Sequence, residues 1–136
     1  LASIEFLEAL VSRGRALIDS GGEVLEEYRK RLYAEGQPGV GDLFFRHILD
    51  NQGNPASVRL VDITGARAVP LSDAFRQGGL VRFDPSDRPF ALCAAAGRAA
   101  VAVATDSDWS EHEVGLQACG VRVHFVCGRA AATKSA

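Results

Sequence analysis

Methionine is absent from all 136 residues, and the chain holds only three cysteines, one tryptophan and two tyrosines. Cys93, Cys119 and Cys127 are an odd number without metal-ligand spacing. That excludes a disulfide framework and a zinc knuckle, and free thiols in a reducing cytoplasm are the simplest reading. Long hydrophobic runs are also missing, and no secretory leader is visible, so no membrane span is expected. Charge of one sign is lacking too. A net charge of −2 argues against a broadly basic nucleic-acid binder, though not against a local basic patch. There is no Gly-x-Ser-x-Gly, no Cys–His pair with dyad support, and no Lys-Ser/Thr after the glycine-bearing turn at residues 37–41. Serine-triad, cysteine-nucleophile and phosphate-loop chemistry therefore have no footing. With methionine gone, the chain opens at Leu1, a bulky residue that would block removal of an initiator methionine. The reading expects a segment upstream of residue 1.

What is present is an ordinary globular composition, 47% hydrophobic and 24% charged. The expected arrangement is a single domain over residues 1–128, with 129–136 as a frayed tail. Ile4, Leu7, Leu10 and Val11 share one face of a first helix, and residues 15–19 form a short strand. Ser20, Gly21 and Gly22 turn the chain into a helix over 23–32 with Val24, Leu25, Tyr28 and Leu32 on its apolar side. Glu27 lies about 115° from the middle of that side, closer than Glu23 or Glu26. A third helix over 42–51 packs through Phe44, Phe45, Ile48 and Leu49. Residues 58–64 read as a strand and 65–82 as loop, with one short helix near 72–76. Strand and helix patterns then alternate to the end, which predicts an α/β chain with a mostly parallel sheet flanked by helices in three layers.

The stretch from Phe83 to Trp109 organises the rest. Its first half is a helix entered through Asp84 and Asp87. Pro89 must lie in the first helical turn, because deeper in the helix it would lose a hydrogen bond and clash. That predicts a tight turn at 84–86 and an N-cap near Asp87. Residues 99–104 are all apolar, as in an interior parallel strand covered on both faces. Asp106 and Asp108 follow where the strand gives way to loop, the end of an open parallel sheet at which ligands bind. Helix start and strand end can share one rim, and converging carboxylates would repel unless a cation sat between them. Such oxygen donors suit Mg²⁺ or Mn²⁺. Capping and turn chemistry alone would account for each aspartate taken singly. Residues 109–119 read as one helix, with Trp109, His112 and Leu116 on an apolar face, so His112 is expected to be a core histidine. Gly120 caps that helix, and 121–127 alternate as a half-exposed edge strand.

The run Phe-Asp-Pro-Ser-Asp-Arg-Pro-Phe at 83–90, the small-residue helix after it, and Ala-Thr-Asp-Ser-Asp-Trp ending at Trp109 resemble the C-terminal half of a PIN domain. Leu-Glu-Glu-Tyr at 25–28 is similar to that family's Glu-Tyr helix segment. The resemblance implies a metal-dependent endoribonuclease, toxin-type, that gathers carboxylates around Mg²⁺ or Mn²⁺. It implies catalytic roles for Glu27, Asp87 and Asp106, and metal ligation by those three with Asp84 and Asp108 as auxiliaries. Arg29, Lys30 and Arg31 would face the RNA. An antitoxin protein and a homodimer are the partners the resemblance suggests. The family's N-terminal strand, which ends in its first acidic residue, has no counterpart here, so the sequence reads as a PIN-like domain lacking that strand. A second reading is a non-catalytic module of the same fold that binds RNA or a protein partner. A small-molecule α/β enzyme ranks last, because no Asp-x-Asp motif follows a first strand.

Overall fold

The computed structural model describes residues 2–35, 40–103 and 107–126. The expected turn at 37–39, Asp106, and the tail at 129–136 lie outside the described residues. The chain divides into two compact units, Leu1–Val61 and Asp62–Ala136. It is mixed α/β, and each unit holds one pair of parallel strands.

In the first unit, α1 (Ala2–Arg13) is followed by β1 (Ala16–Asp19), α2 (Glu23–Glu35), α3 (Val40–Asp50) and β2 (Val58–Val61). β1 and β2 pair in parallel, Ala16 opposite Val58 and Asp19 opposite Val61. The apolar faces read from the sequence meet here. Ile18, Val24, Phe45, Ile48 and Val58 are all buried, and Tyr28 sets its ring edge-on to Phe44 at 6.0 Å. Gly22 has φ +88, a backbone conformation that suits a residue without Cβ, and it lets the chain reverse between β1 and α2. The expected strand at 58–64 stops at Val61. Asp62 turns its carboxylate onto its own chain and accepts from Thr64 N–H at 2.9 Å and from Thr64 Oγ1 at 2.6 Å. That Asx turn competes with strand extension.

The second unit runs through α4 (Val69–Gln77), α5 (Arg88–Gly97), β3 (Ala100–Val103), α6 (Ser107–Glu111), α7 (Glu113–Ala118) and β4 (Arg122–Phe125), with 3₁₀ turns at Ala66–Ala68 and Pro85–Asp87. α4 is longer than the short helix expected near 72–76; Pro70 sits in its first turn, where its missing N–H costs nothing. The core gathers Leu71, Phe75, Phe83, Ala91, Leu116 and Val121. α5 begins as Pro89 dictates: Asp84 caps the 3₁₀ turn by accepting from Ser86 N–H, and Asp87 occupies the N-cap position of the helix.

Three expectations need correction. One continuous central sheet is not found among the described residues, whose strands form two two-stranded parallel sheets, β1–β2 and β3–β4. β3 is not an interior strand among the described residues. Its one partner is β4, and Ala100 and Ala102 are exposed while Val103 is buried. The sequence hid this because alanine counts as apolar, yet it loses little by facing water. Ala-Val alternation is the period-two pattern of a half-exposed strand. The register places Arg122 beside Ala100 and His124 beside Ala102 on that open face, and Val123 and Phe125 lie half-buried on the other, as the alternation in β4 predicts. The third correction is in residues 109–119, which form two short helices broken at His112. Asp108 O accepts from His112 N–H at 3.2 Å and also lies 3.0 Å from His112 Nδ1, so the imidazole competes for a helical carbonyl. The end of α7 is as expected. Gly120, at φ +90, and Val121 donate to Gln117 O and Leu116 O, closing the helix with a Schellman motif.

Candidate functional site

Two acidic residues of the second unit, Asp84 and Asp108, meet. Asp84 N–H donates to Asp108 Oδ2 at 3.0 Å. One residue stands before α5 and the other near the start of α6, so these two helix starts meet at one place. Asp84 Oδ1 accepts from Ser86 N–H and Ser86 Oγ, both at 3.0 Å. Capping thus accounts for part of what Asp84 does.

Asp87 differs. It is 2% exposed, and although it holds the N-cap position its side chain makes no capping hydrogen bond. Burying a carboxylate is costly unless a charge or hydrogen bonds offset it. Helix capping is therefore not the reason for this aspartate.

The structure adds two residues that the sequence reading left out. Asp108, Glu111 and His112 bring ligand atoms within 4.8 Å of one another. His112 Nδ1 lies 3.3 Å from Asp108 Oδ1, and its ring sits edge-on to Phe83 at 5.5 Å. The expected core histidine is thus half-buried and two-sided, with an aromatic contact on one edge and a carboxylate on another. The signal was available in the spacing: positions i, i+3 and i+4 share one face of a helix. Reading Trp109, His112 and Leu116 as an apolar stripe obscured it.

Of the other expected site residues, Glu27 lies on α2 of the first unit. Its side chain is 14% exposed, so it does stand at the edge of buried surface, and Lys30 Nζ approaches it at 3.3 Å. Arg29 pairs with Glu26 at 3.8 Å with both side chains about half exposed. Pairs of that kind contribute a few tenths of a kcal/mol, on the order of 0.3–0.5, and leave both cations open to water. Arg31 belongs to the same helix, and its side chain lies outside the description, as does Asp106. The first unit's own buried carboxylate is Asp19. Its Oδ2 accepts from Glu23 N–H at 2.9 Å and its Oδ1 from Val24 N–H at 2.7 Å. Both oxygens serve the first turn of α2, which identifies a structural cap.

Asp108, Glu111 and His112 together could hold a metal ion. Carboxylate oxygens suit Mg²⁺ and Mn²⁺, and an imidazole tilts the choice towards Mn²⁺ or a later transition ion. Fold and site by themselves define a mixed α/β chain with parallel strand pairs and a carboxylate–imidazole cluster. Comparison with protein-family models, with curated proteins and with solved structures returned no match for this chain. No helix among the described residues is long and apolar enough to cross a membrane.

Proposed function

We propose that the chain is a metal-dependent hydrolase of phosphodiester bonds in RNA, with Asp84, Asp87, Asp106 and Asp108 forming the core of its metal centre. The observation that carries the proposal is the hydrogen bond from Asp84 N–H to Asp108 Oδ2. It draws the two acidic segments together although the aspartates repel each other. The buried carboxylate of Asp87 lies three residues from Asp84, in the same turn. The resemblance of 83–90 and 104–109 to PIN domains supplies the substrate class.

When bound, Mg²⁺ or Mn²⁺ would lower the pKa of a water and offset charge on the phosphate in the transition state. The carboxylates would hold the cation and orient water towards phosphorus. His112 and Glu111, whose ligand atoms lie near that of Asp108, would complete the ligand set. Arg29, Lys30 and Arg31 would attract the RNA backbone, an effect that weakens with salt. The antitoxin partner and the homodimer belong to the same proposal.

The test is cleavage of a labelled RNA by the 136-residue chain in Mn²⁺, Mg²⁺ and EDTA, alongside calorimetric titration with Mn²⁺. Metal-dependent cleavage abolished by EDTA is the expected result. Mn²⁺ binding without cleavage would favour the non-catalytic module, and no Mn²⁺ binding would overturn the proposal.

A further inference from the structure

We infer that Arg88 is the positioning residue of the acidic site: its guanidinium fixes the backbone strap that carries Asp84 to Asp108. The geometric part of this inference stands on the hydrogen bonds alone; its consequence for metal binding rests on the reading above.

The strap runs from Leu80 to Asp84 and belongs to no helix or strand. Three features hold it. Phe83 is fully buried, stacked on Phe75 at 5.7 Å and edge-on to Trp109 at 4.8 Å. Asp84 N–H is bound to Asp108. The third is Arg88, from the first turn of α5. Its Nε donates to Phe83 O at 3.2 Å, and its Nη2 donates to Phe83 O at 3.1 Å and to Val81 O at 3.0 Å. One planar fork thus joins two carbonyls on either side of Arg82. The guanidinium also lies over the Phe75 ring, 5.0 Å from its centroid.

Phe83 O belongs to the peptide whose N–H is that of Asp84. The plane that Arg88 fixes at the oxygen is therefore the plane that aims the N–H at Asp108. Asp84 and Asp108 are both acidic, so attraction between their side chains cannot hold them together; a fixed backbone can. Lysine would not substitute. It has no planar fork to span two carbonyls and does not stack on an aromatic face in the same way.

The experiment compares the metal-free chain with its Arg88→Lys and Arg88→Gln variants. Solvent exchange of the Asp84 amide is read by nitrogen-15 NMR, with the melting temperature and Trp109 fluorescence as measures of the fold. Mn²⁺ affinity is then titrated on each protein. The expected result for Arg88→Lys is an Asp84 amide that exchanges at least about tenfold faster and an Mn²⁺ affinity weaker by about tenfold, the usual cost of losing an orienting partner. Its melting temperature and tryptophan emission should stay close to those of the parent chain. Guanidinium ion added to Arg88→Gln should slow the Asp84 amide again. An unchanged Asp84 exchange rate in a folded Arg88→Lys protein overturns the inference. So does an Arg88→Lys chain that does not fold, because Arg88 would then be a general structural support. A parent chain that protects Asp84 through Arg88 yet binds no Mn²⁺ supports the positioning role and sinks the metal reading instead.

Discussion

The backbone N–H of Asp84 reaches across 24 positions of chain to Asp108 Oδ2 at 3.0 Å. A backbone donor directed at a carboxylate makes a charge-assisted hydrogen bond, stronger than one between neutral groups. It also ties the segment before α5 to the start of α6.

Asp87 is the position at which function and stability should part. Its carboxylate is buried and caps nothing. Asp87→Asn keeps the shape of the side chain and one acceptor oxygen, so the chain should still fold cooperatively. RNA cleavage in Mn²⁺ should fall by about 100-fold or more, as expected when a metal-site carboxylate is lost. Asp106→Asn should behave alike in the cleavage assay. Parallel thermal melts and cleavage rates decide; unchanged cleavage removes the residue from the mechanism.

Asp19 should behave in the opposite way. Both of its oxygens accept backbone N–H groups at the start of α2. Asp19→Ala leaves two donors without their acceptor and should cost about 2 kcal/mol, the upper end for a lost N-cap. Urea unfolding followed by circular dichroism measures it. Asp19→Asn, which keeps one acceptor oxygen, should recover part of the loss.

Phe83 joins the core to the site. Its ring contacts Phe75, Trp109 and His112, and the next residue is Asp84. Phe83→Ala should destabilise the second unit by about 3–5 kcal/mol. Trp109 is the sole tryptophan, so its emission reports on this packing directly and should shift to longer wavelength. Emission identical to that of the parent chain would contradict the packing described.

Asp62 predicts a small pH effect of known sign. Its carboxyl lies below its ordinary value of 3.8 because Thr64 donates side-chain and backbone hydrogen bonds to the ionised form. A depressed folded-state pKa contributes stability above the unfolded value, and that contribution is lost as pH falls through the folded value. Thr64→Val should move Asp62 up towards 3.8, as followed by carbon-13 NMR titration. No movement would mean that the hydroxyl bond is not what holds the charge.

Cys119 gives a chemical check on the second unit. Burial raises its thiol pKa above 9.0, and the thiol contacts Pro70 O at 3.8 Å. The thiolate is the reactive species, so alkylation of Cys119 near neutral pH should be slower than that of an unstructured cysteine. Unfolding in urea should remove the protection.

The local elements were legible because their causes are local. Pro89 fixed where α5 could begin, Gly120 fixed where α7 ended, and the side-chain period placed Val24, Phe45 and Ile48 inside. Even the meeting of Asp84 with Asp108 could be anticipated, since a helix start and a strand end of one α/β unit fall on the same rim. What the sequence alone did not decide is how strands associate and which polar atoms find each other. Alanine can line a buried sheet or face water, so the letters of β3 are compatible with both, and only its pairing with β4 selects the half-exposed arrangement. Asp19 and Asp87 are the same residue type, each just ahead of a helix, yet one gives both oxygens to that helix and the other is buried without capping. His112 read as an apolar-face residue, and its second role appeared only with Asp108 and Glu111 beside it. Propensity and periodicity act within a few residues of chain. The direction of a side chain, and hence its chemistry, is set by contacts made across the fold.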